Sequence, residues 1–374
     1  MRTLFCNSIY GAGGIGQHFG HLVEESRRNG VLDRYYAYGA PPQDSKGIVV
    51  EKRTFGLVRY TPLRWFPSWK SHIVNELFDR DVANRLPSVE RSIVGGFLMG
   101  FAGKSLRTFR KAARLGAGRL ELVAPNSHVQ NVSRLHARAA ADCGLADSWL
   151  NQAQIRKTLR EYALADRIYV HSEYVRQSFL DAGIPAERLV RTVLHPDPRF
   201  VPPAEQVDDT TFRIVYVGRV EITKGIALLL EAFDRLSVPN AELRIVGGWS
   251  TRSVRLRLQS RIAQDPRITV QPGDPLPVLQ KADVFVHPSY EDGFGYAPME
   301  ALACGVPVVV TEDTGMKEYV REGVNGFVVP TGSVDAIVAA LENLIRSPLA
   351  RSASLIPAIT DSDSSIRAFA SDQP

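Results

Sequence analysis

Residues 290–310 read YEDGFGYAPMEALACGVPVVV and set out a glycine-rich loop, a helix and a strand in turn. The apolar run at residues 282–286 comes just before them, and such a run predicts a buried parallel strand. A helix is predicted over residues 298–304, where Gly305 ends it. Residues 306–311 then predict the next buried strand. The pattern predicts an α/β fold, with this loop at the carboxyl end of a strand, where ligands bind in open α/β sheets.

Two carboxylates flank this loop, eight positions apart. Asp292 lies on the loop, and Glu300 lies in the first turns of the predicted helix. Both can face one crevice, because the turn folds the chain back between them. Carboxylates accept hydrogen bonds from the vicinal hydroxyls that a sugar or a ribose offers. The alternative is that Glu300 is a solvated helix residue and that Asp292 caps the helix N-terminus.

A second loop carries cations suited to a pyrophosphate. Residues 218–225 read GRVEITKG and follow a strand predicted at residues 212–217. Arg219 and Lys224 therefore lie on one loop, just before a predicted helix. Arginine offers a planar fork of donors and lysine a mobile point charge, and both suit phosphate oxygens. The alternative is that they are two unrelated surface cations.

Together, the two loops resemble those of the family-4 type (group 1) of retaining, nucleotide-sugar-dependent glycosyltransferases, which have the GT-B fold. Residues 292–300 resemble the E-x7-E signature of that family, with Asp292 in place of the first glutamate. Residues 218–225 match its G-R-x4-K-G phosphate-binding pattern. The resemblance covers residues 212–340 and implies two Rossmann-like, doubly wound α/β domains that face a cleft.

The resemblance also implies a role for each residue of the two loops. Arg219 and Lys224 would neutralise the leaving diphosphate, and no metal would be needed because two cations can take its place. Glu300 would bind the ribose hydroxyls and Asp292 the hydroxyls of the donor sugar. The further residues predicted to line the donor site are Gly13, Gly14, Gly16, Gly218, Gly247, Gly248, Gly293, Phe294 and Gly295.

In the N-terminal half, residues 11–16 read GAGGIG and lie between a strand predicted at residues 2–8 and a helix predicted from about residue 17. A strand, a glycine loop and a helix in this order form an anion-binding unit; the alternative is a tight structural turn. His128 follows a short predicted strand. The resemblance implies that it contacts the donor sugar. The alternative is a histidine that is hydrogen-bonded for structural reasons.

Two stretches could meet a lipid or glycan surface. Residues 91–120 contain no acidic residue and carry lysines and arginines at near-helical spacing. A basic amphipathic helix can lie on an anionic membrane, but one packed by its apolar face is the alternative. Residues 51–85 place Trp65, Phe66 and Trp69 among basic residues. They are either a surface for lipid or glycan, or an excursion packed under a helix.

A chain of 374 residues is long enough for two cores. We predict an acceptor-binding domain at residues 1–200, a linker at 201–210, a nucleotide-sugar-binding domain at 211–345 and a polar, disordered tail at 346–374. Three scattered cysteines indicate a reducing compartment. The formal net charge of +5 suits an anionic partner. No run approaches the roughly 20 apolar residues of a membrane span.

The predicted function is transfer of a sugar, with retention of anomeric configuration, from a nucleoside diphosphate sugar to a glycan or lipid-linked acceptor in cell-surface polysaccharide or glycolipid synthesis. The nucleotide sugar is a co-substrate, and no other cofactor, metal or nucleic acid is expected. The predicted location is cytoplasmic, with peripheral attachment to an anionic membrane through residues 91–120. The alternatives are a non-catalytic nucleotide-sugar-binding subunit of the same fold and a nucleotide-sugar epimerase.

Overall fold

The chain folds into two compact units in a computed structural model. The structure describes residues 1–11, 13–39, 44–50, 60–61, 66–86, 93–205 and 209–349. Within these residues, the first unit comprises Met1–Ser133 and Trp149–Leu194, and the second comprises Arg134–Ser148 and the chain from His195 onward. The predicted first domain, residues 1–200, therefore differs from the first unit at two segments, residues 134–148 and 195–200, which belong to the second unit.

That segment belongs to the second unit because its side chains pack and bond there. Ala139 is part of the second unit's apolar core. The Tyr290 hydroxyl donates to Asp142 Oδ2 over 2.8 Å, and Arg138 donates to the Thr331 carbonyl over 2.6 Å. These partners are more than 140 residues away in sequence, so local sequence patterns do not reveal them.

The first unit is built on a seven-stranded sheet whose strands are all parallel, in the order β3-β2-β1-β4-β5-β6-β7. The strands are short and mostly buried, as expected where helices cover both faces. They are β1 Arg2–Phe5, β2 Leu32–Ala37, β3 Gly47–Val49, β4 Phe97–Phe101, β5 Arg119–Val123, β6 Arg167–Val170 and β7 Leu189–Arg191.

The helices that begin in the first unit are α1 Gly13–Arg28, α2 Pro67–Arg85, α3 Leu106–Arg114, α4 Val129–Cys143, α5 Gln152–Leu164 and α6 Glu173–Asp181. Residues 93–120 do not form one basic helix: they hold β4, α3 and the start of β5. In α3, Leu106, Phe109 and Ala112 are buried while Arg110 is exposed. Its apolar face is therefore packed within the unit and its charged face is solvated.

The second unit repeats the design with six parallel strands, in the order β10-β9-β8-β11-β12-β13. Its strands are β8 Phe212–Val217, β9 Ala241–Val246, β10 Ile268–Gln271, β11 Val284–His287, β12 Val308–Thr311 and β13 Gly326–Val329. Its helices are α7 Ile226–Arg235, α8 Arg252–Gln264, α9 Leu276–Leu279, α10 Tyr296–Ala303 and α11 Val334–Arg346. A short 3-10 turn, Ile222–Lys224, precedes α7.

The strand order reverses once in each unit, and this reversal positions the candidate site. In the second unit it falls between β8 and β11, which pair in parallel. The loops after two such strands diverge to opposite faces of the sheet and leave a crevice between them. The loop at residues 218–225 follows β8, and the loop at residues 288–295 follows β11. The predicted doubly wound architecture of both units is confirmed.

Other predictions fall at the edges of the described residues. Residues 201–205 and 209–210 of the predicted linker contain no helix or strand. The predicted tail lies outside the described residues from position 350 onward, and so do Trp65 and residues 51–59 of the aromatic, basic stretch. None of the described helices combines the length and the apolar character that crossing a bilayer requires.

Candidate functional site

The loop after β8 presents one exposed cation and one partly covered cation. The Arg219 side chain is 66% exposed, with its Nε 3.7 Å from Glu221 Oε2. Lys224 ends the 3-10 turn, and Gly225 follows with φ +72°. A Cβ at Gly225 would lie 1.9 Å from the Pro288 carbonyl oxygen. Only glycine lets this loop close against the loop that follows β11.

Several contacts join the two loops across the strand reversal. Lys224 Nζ lies 2.8 Å from Asp292 Oδ2 and donates to the Glu291 carbonyl over 3.2 Å. The Tyr290 backbone N–H donates to the Thr223 carbonyl over 2.9 Å. The sequence assigned Lys224 to a diphosphate and Asp292 to a sugar, whereas the structure holds the two side chains together as an ion pair.

Both members of this pair are charged at neutral pH. Burial raises the pKa of Asp292, but Lys224 and His287 outweigh it and hold that pKa well below its usual range. Burial likewise lowers the pKa of Lys224, and Asp292 outweighs it so that the pKa is raised. The Lys224 ammonium therefore already has a charged partner, and a bound phosphate would have to share that ammonium with Asp292.

Sequence reasoning missed His287, the last residue of β11. Its Nε2 lies 3.2 Å from Asp292 Oδ2. Its Nδ1 is buried without a hydrogen-bond partner among the described residues. The available signal was its place at the carboxyl end of a buried strand, directly before the acidic loop. His287 and Lys224 therefore contact the same oxygen of Asp292 and together restrict the orientation of the carboxylate.

Glu300 is a buried acid on α10. Its side chain accepts no hydrogen bond from any described residue, and the residue is only 6% exposed. Burial raises its pKa to about 7, and Arg199 opposes this while Asp197 and Asp274 reinforce it. The alternative of a solvated helix residue is therefore wrong. The proposed N-cap role of Asp292 is also wrong, because α10 begins after Gly295.

Some glycines of the second unit are explained by backbone packing. A Cβ at Gly247 would lie 1.8 Å from the Gly218 carbonyl oxygen, at the adjoining ends of β9 and β8. This close approach between backbones is enough to require glycine at position 247, whether or not a ligand binds there. A Cβ at Gly248 would meet no heavy atom within 4 Å, so that position faces open space. Of these predicted donor-site residues, only Gly248 leaves room beside it.

The loop at residues 293–295 combines a packed side chain with a backbone turn. Phe294 is buried, with its ring 5.6 Å from that of Tyr296 and 5.8 Å from that of Tyr319. Gly293 is buried as well, and Gly295 adopts φ +87° at the start of α10. Phe294 therefore anchors the loop, and its predicted contact with a donor could involve only its backbone.

The glycine loop of the first unit lies partly inside a helix. Gly13, Gly14 and Gly16 belong to the first turn of α1, which begins four residues before the predicted start. A Cβ at Gly16 would lie 2.3 Å from the Ile9 carbonyl oxygen, which supports the tight-turn alternative there. Gly13 and Gly14 are exposed. A contact between them and a donor stays a prediction.

His128 lies in an apolar environment. Its ring centroid is 5.1 Å from that of Tyr162 and 5.2 Å from that of Phe179. Its backbone N–H donates to Ser178 Oγ over 2.8 Å, and no described residue hydrogen-bonds its ring. Burial lowers its pKa to about 4. These contacts favour a structural role, and the predicted sugar contact stays a prediction.

Comparison with known proteins finds a family match in the second unit. Residues 199–359 match the family described as glycosyl transferases group 1. This match lies in the second unit and covers less than half of the chain. The Staphylococcus aureus capsular polysaccharide biosynthesis glycosyltransferase CapM is 34% identical over 140 residues, which cover 36% of this chain and 37% of that protein. The chain spans about a third of the length of the curated relatives it matches.

Solved structures extend the likeness to both units. Sucrose-phosphate synthase from Thermosynechococcus elongatus superposes with a TM-score of 0.70 at 18% identity, covering 93% of this chain and 90% of that one. Anabaena HepE in complex with UDP-glucose superposes with a TM-score of 0.59 at 16% identity, covering 92% and 90%. At these identities the likeness shows the fold, and the predicted GT-B fold is confirmed.

Two further histidines lie at the carboxyl edge of the first sheet. The rings of His18 and His171 are perpendicular, with centroids 4.3 Å apart, and each Nε2 is buried without a partner among the described residues. His171 directly follows β6, and its Nδ1 lies 2.8 Å from Thr192 Oγ1. Burial lowers the pKa of His171 to about 3. The two histidines at this edge are therefore uncharged but polar.

The described part of the chain holds no group of three or more His, Cys, Asp or Glu side chains that could bind a metal ion. The charged side chains that the two loops and α10 bring to the second unit's strand reversal are two cations, Arg219 and Lys224, and four acids, Glu221, Glu291, Asp292 and Glu300. This arrangement can bind a dianion through the cations and hydroxyl groups through the acids.

Proposed function

We propose that the chain transfers a sugar from a nucleoside diphosphate sugar to a hydroxyl group of a glycan or lipid-linked acceptor, in polysaccharide or glycolipid synthesis. The observation that carries this proposal is the Lys224–Asp292 ion pair at the strand reversal of the second unit. The relative named for capsular polysaccharide biosynthesis and the neighbour solved with UDP-glucose support the substrate class.

The diphosphate would contact Arg219 and Lys224. The Arg219 guanidinium is largely exposed and offers a planar fork of donors. The Lys224 ammonium has three protons and gives two of them to Asp292 and to the Glu291 carbonyl. Its third proton is available to a phosphate oxygen. The N-terminus of α7, just after Gly225, adds partial positive charge nearby.

The acids would orient the rest of the donor. Glu300 would accept hydrogen bonds from ribose hydroxyls, since its carboxylate has no such partner among the described residues. Asp292 would accept from the donor sugar while His287 and Lys224 hold it in place. The shorter arm of aspartate, compared with glutamate, would set the depth at which the sugar sits.

In the proposed reaction, the bond between the anomeric carbon and the phosphate oxygen breaks as the acceptor oxygen bonds to that carbon. The acceptor proton passes to the departing phosphate oxygen. Asp292 is engaged by two partners, so we assign it no nucleophilic role and propose same-face attack with retention. Arg219 and Lys224 would stabilise the charge that grows on the diphosphate. Two cations suffice for this, so the proposed reaction is independent of metal.

An anionic membrane surface is a further proposed partner. Arg107, Arg110 and Arg114 lie on the exposed face of α3, and Phe66 and Trp69 are exposed apolar side chains of the same unit. Aromatic and basic residues together suit the interface of a bilayer. This surface would bring the enzyme to a lipid-linked acceptor.

A second candidate is a nucleotide-sugar-binding subunit without catalysis. The commitment of Asp292 to both Lys224 and His287 favours it, because a carboxylate with two partners has fewer lone pairs for a sugar. This candidate predicts that the donor binds without turnover on any acceptor.

The test begins with thermal stabilisation by UDP, GDP and ADP, because ligand binding raises the unfolding temperature by mass action. The matching nucleotide sugar is then assayed for nucleotide release, with and without a chelator. We expect R219A/K224A to lose both stabilisation and release, and R244A/K281A, which removes the same two charges elsewhere in the unit, to keep both. Stabilisation by no nucleotide, or equal behaviour of the two double variants, would overturn the proposal. Release that stops with the chelator would refute metal independence.

A further inference from the structure

A cationic cavity lies in the first unit. It has a volume of about 330 Å³ and is bounded by residues of α2, α3 and α5. Five of its nine lining residues are arginine or lysine, and one is acidic. The cations are Arg107 and Arg110 from α3, and Arg156, Lys157 and Arg160 from α5. Like charges held this close repel one another unless an anion lies between them.

Two cations of the cavity, Lys157 and Arg107, form ion pairs with acidic residues of α2. Lys157 is buried and lies 2.6 Å from Glu76 Oε1 and 3.0 Å from Asp79 Oδ2. Arg107 Nε lies 2.9 Å from Glu76 Oε2. The acids of the cavity are thus already matched to Lys157 and Arg107. The charges of the remaining cations are left without a counterion.

Three guanidinium groups of the cavity lack a counterion among the described residues. Arg110, Arg156 and Arg160 are exposed and form no hydrogen bond or ion pair with any described residue. Arg156 and Arg160 are one helical turn apart on α5, so they share a face. Arg110 approaches the same cavity from α3. Three planar forks that converge on one cavity suit the tetrahedral oxygens of phosphate.

The helices that carry these groups are held rigidly. Asp79 Oδ2 accepts from the Arg107 N–H and Oδ1 from the Thr108 N–H, each over 2.9 Å. Glu161 Oε1 accepts from the N–H groups of Ser105 and Leu106 over 2.8 and 3.0 Å. These carboxylates, from α2 and α5, satisfy the first turn of α3. The backbones of the three helices are therefore held together at this cavity, which lowers the entropic cost of bringing their side chains to one ligand.

We infer that this cavity binds a phosphate group, as a phosphomonoester, a phosphodiester or a diphosphate. The inference does not depend on the proposed transferase activity, since every residue that carries it lies in the first unit. The phosphate could belong to a lipid headgroup or to a soluble phosphorylated compound, and both present the same oxygens to the arginines. His72 also lines the cavity, and its Nδ1 lies 3.2 Å from Gln154 Oε1.

The test compares two double variants by calorimetric titration with inorganic pyrophosphate. R156Q/R160Q removes two cavity charges. R28Q/R80Q removes two exposed charges of the same unit that do not line the cavity. The second unit contributes equally in both proteins, so the difference between them reports the cavity. We expect R156Q/R160Q to bind at least roughly tenfold more weakly, because each charged hydrogen bond contributes about 1.5 kcal/mol or more.

R110Q should bind with intermediate affinity, and unchanged thermal unfolding should accompany all three variants because these side chains are exposed. Equal affinity of the two double variants, or no saturable binding by the parent protein in the millimolar range, would overturn the inference. UDP binding should be the same in R156Q/R160Q as in the parent protein. A failure of the cavity is therefore separable from a failure of the proposed donor site.

Vesicles identify the source of the phosphate. If it is a headgroup, the parent protein should sediment with vesicles that contain phosphatidylglycerol but not with pure phosphatidylcholine. R156Q/R160Q should stay in solution, and pyrophosphate should compete. If pyrophosphate binds at the cavity and neither vesicle sediments the protein, the ligand is a soluble phosphorylated compound. Sedimentation that is the same for both double variants would show that the cavity does not bind the headgroup.

Discussion

Each unit contains a lysine–aspartate ion pair, and the two pairs have nearly the same length. Lys224 and Asp292 lie 2.8 Å apart on loops at the strand reversal of the second unit. Lys157 and Asp79 lie 3.0 Å apart between helices of the first unit. Their exposure differs: the side chains of the first-named pair are 27% and 21% exposed, and those of the second pair are 3% and 0% exposed.

This difference separates a pair that can meet a ligand from one that holds the fold together. The buried aspartate uses its oxygens on Lys157 and on the backbone of α3, so nothing remains for a ligand. The partly exposed lysine has two hydrogen-bond partners among the described residues for its three protons, and it lies on the same loop as the largely exposed Arg219. The two lysine–aspartate pairs are chemically alike, and their different burial assigns one to ligand binding and the other to the stability of the fold. Three substitutions test this comparison.

The largest effect should come from K224A. We expect donor turnover to fall by about 10²- to 10³-fold, because one charge-stabilising donor of a transition state contributes about that much. The measurement is nucleotide release at saturating acceptor. The control is K104A, which removes a lysine that donates to Asn7 in the first unit over 2.6 Å and should keep near-parental turnover. Turnover that falls equally in both variants would mean that the loss is structural.

The next effect should be on stability. D79A leaves N–H groups of α3 without acceptors and weakens the hold on a buried lysine. We expect a loss of about 3 kcal/mol in the free energy of unfolding, measured with urea. D81A is the matched control. Asp81 is partly exposed and pairs, among the described residues, with Arg85 across one helical turn, so its removal should cost about 0.5 kcal/mol or less.

Nucleotide-sugar affinity should be nearly unchanged in D79A at temperatures where the variant is folded. A change of affinity as large as that in K224A would contradict the assignment of Asp79 to structure and of Lys224 to ligand binding.

The smallest effect should be a pH dependence. Burial raises the pKa of Glu300 to about 7, so lowering the pH through 7 neutralises the carboxylate that would accept from ribose. We expect the affinity for UDP-glucose to weaken by at most about tenfold per pH unit below that pKa. UDP-glucose is chosen because its diphosphate keeps the same charge over this range. In E300Q the affinity should be flat with pH, and an unchanged slope would assign the titration to another group.

The sequence predicted local features well where they are formed by neighbouring residues. The predicted strand at residues 212–217 matches β8 residue for residue, and Arg219 and Lys224 follow it because they lie on the same short loop. Residues 91–120 were predicted as a basic helix, but the described part of them contains β4 and a nine-residue α3 before β5 begins at Arg119. Charge spacing dominated that prediction, and the apolar run FLMGF at residues 97–101 was the signal that it overlooked.

The sequence by itself determined the doubly wound class, the two loops of the candidate site and the residue types available there. The alternation of apolar strands, turn glycines and helices is a local sequence pattern, so it can be recognised without knowing the fold. Only the tertiary structure decided that Lys224 neutralises Asp292, that His287 steadies it, and that arginines from α3 and α5 surround one cavity. Those facts depend on distances between residues 5 to 68 positions apart and on burial, which sets the free energy of each charge.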